Sequence, residues 1–181
     1  MDIRKTIRLI AVGFIFTLVN INITFNQTQV NIMPDFIGWA LITIACFNLG
    51  DYVKGKPFYS AGATLMTVFE FVIMIVSLLY PKYDLGIYKT AVSLLAMIYI
   101  FLLLTLLEKI GRDKGYNDTA SIRILKYVYV IVFLIFQALT LAASYLPASV
   151  ITILLSISGL AALVTAIATA YVLIKMSILI Q

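Results

Sequence analysis

The stretch LGIYKTAVSLLAMIYIFLLLTLL, residues 85–107, decides the fold of this chain. It runs for 23 residues and contains a single charged side chain, Lys89. A helix rises about 1.5 Å per residue, so a helix of this length reaches across the roughly 30 Å hydrocarbon core of a bilayer. The segment therefore predicts a helix that crosses a membrane.

The composition of the whole chain agrees with this prediction. Hydrophobic residues make up 63% of the 181 residues and charged residues 12%, whereas soluble domains contain roughly half and a quarter of these classes. The longest polar stretch, residues 108–121, is too short to enclose a core of its own. We therefore expect one transmembrane domain over residues 1–181.

Six segments are long and apolar enough, or nearly so, to cross a bilayer. They are predicted at residues 7–25, 36–52, 59–80, 85–107, 122–146 and 148–176. With the N-terminus in the cytoplasm, eleven Lys and Arg side chains fall on the cytoplasmic side, and only Lys82 and Lys89 fall outside. Because cytoplasmic loops retain positive charge, this bias predicts both termini inside. The predicted fold class is an all-α integral membrane protein with six transmembrane helices.

The segment between the first two predicted spans alternates apolar and polar residues from 21 to 25. This alternation favours a short extracellular β-hairpin that turns at Gln27 and Thr28 and opposes Phe25 to Val30. The alternative is that the first span continues as a helix to Phe25 and that an irregular segment follows. A second polar segment, 108–121, is predicted to be a solvated cytoplasmic turn in which Asp118 or Thr119 caps the fifth helix.

Glu70 is the sharpest polar feature of the sequence. It lies near the middle of the third predicted span, where an ionisable side chain is costly, and it shares a helix face with Thr67. A buried glutamate can take up a proton or bind a cation or a cationic solute. The alternative is that Glu70 is hydrogen-bonded to a neighbouring helix and braces the bundle.

Other polar side chains are weaker candidates for the same site. Asn20, Asn22 and Asn31 are predicted to present amides to an extracellular solute, although such residues also fill turns. Asp35, at the start of the second span, either binds a ligand or caps the first-turn amides of its helix. Gln137 belongs to a polar stripe of the fifth span.

Small residues line one side of the sixth span and predict close helix packing. They are Ser149, Thr152, Ser156, Gly159, Ala162, Ala166 and Ala170.

The residues of this chain give little support to a catalytic function. The chain has no histidine, so it lacks the catalytic triads and zinc-binding motifs that require one, and no phosphate-binding glycine loop occurs. We expect no catalytic residue, no cofactor and no metal site. The basic residues lie in short clusters between apolar runs, which argues against a nucleic-acid partner.

Residues 31–39, NIMPDFIGW, together with the Asn, Ile and Thr alternation before them, carry a resemblance. They resemble a signature, Asn-x-x-[Leu/Met]-Pro-Asp-Phe-Ile-Gly, of small multi-pass membrane proteins of Gram-positive-type bacteria. The resemblance covers about residues 20–45. It implies a location in the bacterial plasma membrane and implies no activity, substrate or catalytic residue.

Two functions remain open on the sequence alone. The first is binding or transport of a small solute or cation through a polar bundle interior that includes Glu70. Six spans with a structured first external loop are also similar in architecture to the substrate-capture subunits of energy-coupling-factor vitamin transporters. The second is a non-transporting accessory, assembly or regulatory subunit of another membrane protein complex, which predicts a dry and tightly packed interior.

Overall fold

The computed structural model describes residues 2–17, 22–25, 28–31, 35–49, 56–80, 85–142 and 145–180. These residues form six helices and one pair of strands. The elements are α1 (Ile3–Phe16), β1 (Asn22–Phe25), β2 (Thr28–Asn31), α2 (Asp35–Asn48), α3 (Lys56–Leu79), α4 (Gly86–Asp113), α5 (Thr119–Ala142) and α6 (Ala148–Leu179).

Four helices, α3 to α6, are long and apolar enough to cross a membrane. They overlap the last four predicted spans, because each combines an uninterrupted apolar run with the required length. Their outer faces carry large apolar side chains that no neighbouring helix covers. On α6 these are Ile153, Ile157, Leu160, Val164 and Ile167, spaced by three and four residues. This pattern is the one expected of a helix with one side against lipid.

The first two helices are shorter than predicted. α1 and α2 contain 14 residues each, so each rises only about 21 Å. The predicted first span, 7–25, is wrong in its second half, because α1 ends at Phe16 and residues 22–25 form β1. The hydroxyl of Thr17 donates to the carbonyl of Phe14 at the end of this helix. The alternative of a helix that continues to Phe25 is therefore also wrong.

The two strands pair in an antiparallel arrangement with Phe25 opposite Thr28. The predicted register, which opposes Phe25 to Val30, is wrong by two residues, since Val30 lies opposite Ile23. The observed register leaves two residues between the strands, which is the commonest hairpin connection.

The six helices pack in a closed ring that follows the order of the chain. Each helix contacts the next one along the sequence, and α6 returns to pack against α1. All six helices therefore have access to a common interior.

The contact between α1 and α2 depends on two glycines. A Cβ atom added to Gly38 would lie 2.6 Å from the backbone nitrogen of Thr17 and 2.7 Å from the carbonyl oxygen of Gly13. Both neighbours are backbone atoms, which cannot rotate away. The two backbones approach this closely only because neither helix carries a side chain at the crossing point.

The turn between α4 and α5 is shorter than predicted, because α4 continues through residues 108–113 of the predicted loop. The helix ends where Gly115, at φ +71°, allows the backbone to reverse, and the N–H of Tyr116 donates to the carbonyl of Gly111. Asp118 then caps α5 as predicted: it accepts hydrogen bonds from the hydroxyl and the backbone N–H of Ser121. The Ser121 hydroxyl is the main reason that the pKa of Asp118 is lower than its ordinary value.

Candidate solute-binding cavity

A cavity of about 290 Å³ lies inside the ring of helices. Each helix or its end residue contributes to the wall. The polar lining consists of Thr17, Asp35, Glu70, Ser93 and Thr165; the aromatic lining consists of Trp39, Tyr129, Phe133 and Phe136; the other lining residues are Ala96, Ile100, Val132, Gly159 and Ala162. The cavity thus combines carboxylates with an apolar, largely aromatic surface.

Two carboxylates, Asp35 and Glu70, share this cavity although they come from different helices. Both side chains are half-buried, and Glu70 interacts electrostatically with Asp35 and with Lys89. The Oδ1 atom of Asp35 is buried and has no hydrogen-bond partner among the described residues. Asp35 is the first residue of α2, and the predicted capping of that helix is not seen at this oxygen. Two carboxylates that share one cavity and are partly removed from bulk water repel each other unless a proton or a cation offsets the charge.

The aromatic wall comes mainly from one face of α5. Tyr129, Phe133 and Phe136 follow each other at spacings of four and three residues, so they project from the same side of the helix. Aromatic faces attract cations through their quadrupole and also bind apolar surface. This wall is therefore suited to either kind of ligand surface.

The fourth aromatic residue, Trp39, is held in place by a buried network around Tyr99. The ring of Tyr99 packs edge-on against Trp39 at a centroid distance of 5.6 Å. The Tyr99 hydroxyl donates to the carbonyl of Tyr59 at 2.8 Å, and it lies 3.2 Å from Cys46 Sγ. Because a hydroxyl has one proton, the thiol of Cys46 must then donate to Tyr99. This network joins α2, α3 and α4 beside the cavity.

A buried ion cluster lies one helical turn along α5 from the aromatic wall. Lys126 Nζ lies 2.7 Å from Glu108 Oε2 and 3.3 Å from Thr105 Oγ1. The other carboxylate oxygen of Glu108 accepts from Arg123 at 2.8 Å and from Arg112 at 3.2 Å. Glu108 and Lys126 are only 5% and 6% exposed. This cluster, Glu108 with Lys126, Arg123 and Arg112, ties α4 to α5.

The structure distributes the predicted site residues over several environments. Glu70 and Asp35 line the cavity. Thr67 lies outside the lining, and its Oγ1 is 3.0 Å from Thr43 Oγ1 in a contact between α2 and α3. Gln137 is half-buried on α5 and also lies outside the lining.

The three predicted asparagines give less information. Asn20 lies outside the described residues. The backbones of Asn22 and Asn31 are opposite each other in the strand pair. Their side chains do not belong to the part of the chain that the structure describes.

Sequence reasoning missed the aromatic wall and the ion cluster. The spacing of Tyr129, Phe133 and Phe136 was a usable signal, but aromatic residues at helical spacing more often pack against another helix than line a cavity. Gly159 and Ala162 were predicted to serve packing, and instead they line the cavity. A Cβ atom added to Gly159 would meet no atom within 4 Å.

No group of three or more candidate metal ligands of the His, Cys, Asp and Glu types occurs within the part of the chain that the structure describes. No known protein family, curated protein or solved structure matches this chain.

Proposed function

We propose that this chain is a multi-pass bacterial plasma membrane protein that binds or transports a small solute through the cavity at Glu70. One observation carries the proposal: the ring of helices leaves about 290 Å³ of space beside Glu70 and Asp35. Carboxylates at this depth are costly to keep, which favours a role in binding an ion, a proton or a solute. Ligand sites in helical membrane proteins are commonly formed between the helices of a bundle.

The proposed topology has both termini in the cytoplasm and the strand pair on the extracellular side. α1 and α2 are too short to cross the full hydrocarbon core singly. We propose that they form a helical pair that enters from the cytoplasm and returns to it, with the strand pair at its outer end. Such a pair does not change the orientation of α3 to α6. The excess of Lys and Arg on one side therefore assigns α3 to α6 the same orientation as in a six-span arrangement.

In this topology the cavity faces the outside. Thr17 and Asp35, at the outer ends of α1 and α2, belong to its lining. On the cytoplasmic side, the buried pair of Glu108 and Lys126 joins α4 to α5. A solute therefore enters from the extracellular half, and transport requires the apolar core of the other half, which includes Ile7, Leu103 and Leu173, to open.

The accessory function predicts a packed interior in which Glu70 is satisfied by a neighbouring helix. No hydrogen bond joins Glu70 to another residue in the described ranges, and a cavity lies beside it. These two observations favour a solute-binding role over a purely scaffolding one.

The proposal can be tested with the small-molecule fraction of a bacterial cell extract. A solute that binds the folded protein at a hundred times its Kd stabilises it by about 2.7 kcal/mol, so at least one fraction should raise the melting temperature of the purified protein in detergent. Gly159→Leu, which fills the cavity, should remove this shift, and Glu70→Gln should reduce it. If no fraction stabilises the wild type more than the Gly159→Leu variant, the proposal is wrong.

A further inference from the structure

We infer that the ligand of this cavity is a small organic cation with an apolar body of about the size of one aromatic ring. This inference rests on the proposed function and specifies its substrate class. It depends on three features of the cavity: its two carboxylates, its size and its aromatic wall.

Among the described residues, the lining contains two carboxylates and no Lys or Arg side chain. Lys89 interacts electrostatically with Glu70, but it is exposed and does not line the cavity. A carboxylate removed from water needs a hydrogen-bond donor or a cation, and Asp35 Oδ1 has neither among the described residues. The site therefore favours a ligand that brings positive charge.

The size and chemistry of the wall argue against a bare metal ion. Ca²⁺ and Mg²⁺ require about six or more oxygen ligands within roughly 2.0–2.6 Å. The lining holds only two carboxylates, and no group of three or more candidate ligands of the His, Cys, Asp and Glu types occurs among the described residues. A cavity of about 290 Å³ is also far larger than a single ion needs. An organic cation can fill this space, and it needs only one or two charged contacts instead of a complete shell of oxygen ligands.

Most of the aromatic wall comes from a different helix than the carboxylates. Asp35 belongs to α2 and Glu70 to α3, whereas Tyr129, Phe133 and Phe136 belong to α5. Trp39, the fourth aromatic residue, lies on α2 one turn from Asp35. Gly159 on α6 leaves open space beside the aromatic residues. A ligand with an ammonium group at one end and an apolar ring at the other matches this division, and the aromatic faces add attraction for the cation.

Trp39 provides a direct readout, because it is the only tryptophan of the chain and lines the cavity. Three probes share one ring and differ in charge: phenethylammonium, 2-phenylethanol and phenylacetate. We expect phenethylammonium to change Trp39 fluorescence saturably in the purified full-length protein, with a Kd at least tenfold lower than that of 2-phenylethanol. Phenylacetate should be the weakest of the three.

The carboxylates should account for this preference. Glu70→Gln and Asp35→Asn should each reduce the preference for phenethylammonium over 2-phenylethanol at least tenfold. Asp113→Asn, which removes an exposed carboxylate at the end of α4, should leave it unchanged. Glu70→Gln and Asp35→Asn are each compared with the wild type on their own. Binding of 2-phenylethanol to a variant shows that the cavity of that variant is intact.

Equal affinity for all three probes, or preference for phenylacetate, would show a solute cavity of another specificity, so the inference would fail while the proposed function stood. Absence of any fluorescence change would also overturn the inference. The proposed function would fall with it only if no extract fraction stabilised the protein.

Discussion

The only two glutamates of the chain, Glu70 and Glu108, have opposite surroundings although both lie in long apolar helices. Glu108 is paired with three cations, of which Lys126 is itself buried. Glu70 lies beside a cavity and is coupled to a second carboxylate. The first arrangement is stable without a ligand, and the second is suited to receiving one.

Glu108→Gln should destabilise the protein strongly, because it leaves the ammonium of Lys126 buried without a counter-charge. Removing one partner of a buried ion pair costs about 3–5 kcal/mol. Denaturation of the purified protein in detergent measures this loss. Arg112→Gln is the control: its side chain is 63% exposed, and exposed ion pairs contribute only about 0–1 kcal/mol. Equal destabilisation by the two variants would contradict the buried role of the pair.

The sequence predicts the position of Glu70 inside the bundle, but it does not predict the burial of Glu108. A carboxylate inside a long apolar run indicates a bundle interior without any knowledge of its neighbours. Glu108 begins the polar stretch 108–121, so the sequence favours a solvated position for it. Its burial depends on Lys126, 18 residues further along the chain, and that pairing is a tertiary contact.

At the scale of the helices, the crossing of α1 and α2 is the tightest contact. Gly38→Ala should destabilise the protein by about 1–3 kcal/mol, because the added methyl group meets backbone atoms of α1. Gly159→Ala should have little effect, since its methyl group enters open space. Thermal unfolding of both variants in the same detergent compares them. Similar melting temperatures for the two would contradict the close approach of these helices.

Length explains which helices the sequence predicts well. The runs that form α3 to α6 are long and apolar, so a membrane-crossing helix is the only regular structure that suits them. The first apolar run is different, because its residues from 21 to 25 alternate and fit a strand as well as a helix. The sequence therefore does not locate the end of α1 at Phe16, since the apolar pattern that follows is compatible with a helix and with a strand.

For the whole molecule, the closed ring explains why residues distant in the sequence share one cavity. In the proposed topology α1 and α2 form a pair that enters and leaves on the cytoplasmic side, and α3 to α6 provide an even number of crossings. Reporter domains fused to the two ends should therefore both report a cytoplasmic location. Reporters in opposite compartments would overturn the assigned topology.

The composition of the cavity could be predicted only in part from the sequence. Glu70 is predicted to face the bundle interior, and it lines the cavity, whereas Thr67 and Gln137 do not. The empty volume itself depends on how six helices pack, and no single stretch of sequence encodes it.

Accessibility of Ser93 to water from outside the cell tests the central claim most directly. Ser93 lines the cavity, whereas Ile98 on the same helix is 51% exposed on its outer surface. With the single native cysteine replaced as Cys46→Ser, we expect a membrane-impermeant cationic thiol reagent to modify Ser93→Cys at least tenfold faster than Ile98→Cys in intact cells. If Ser93→Cys reacted no faster than Ile98→Cys, the interior would not be an open, hydrated site, and the account would be wrong.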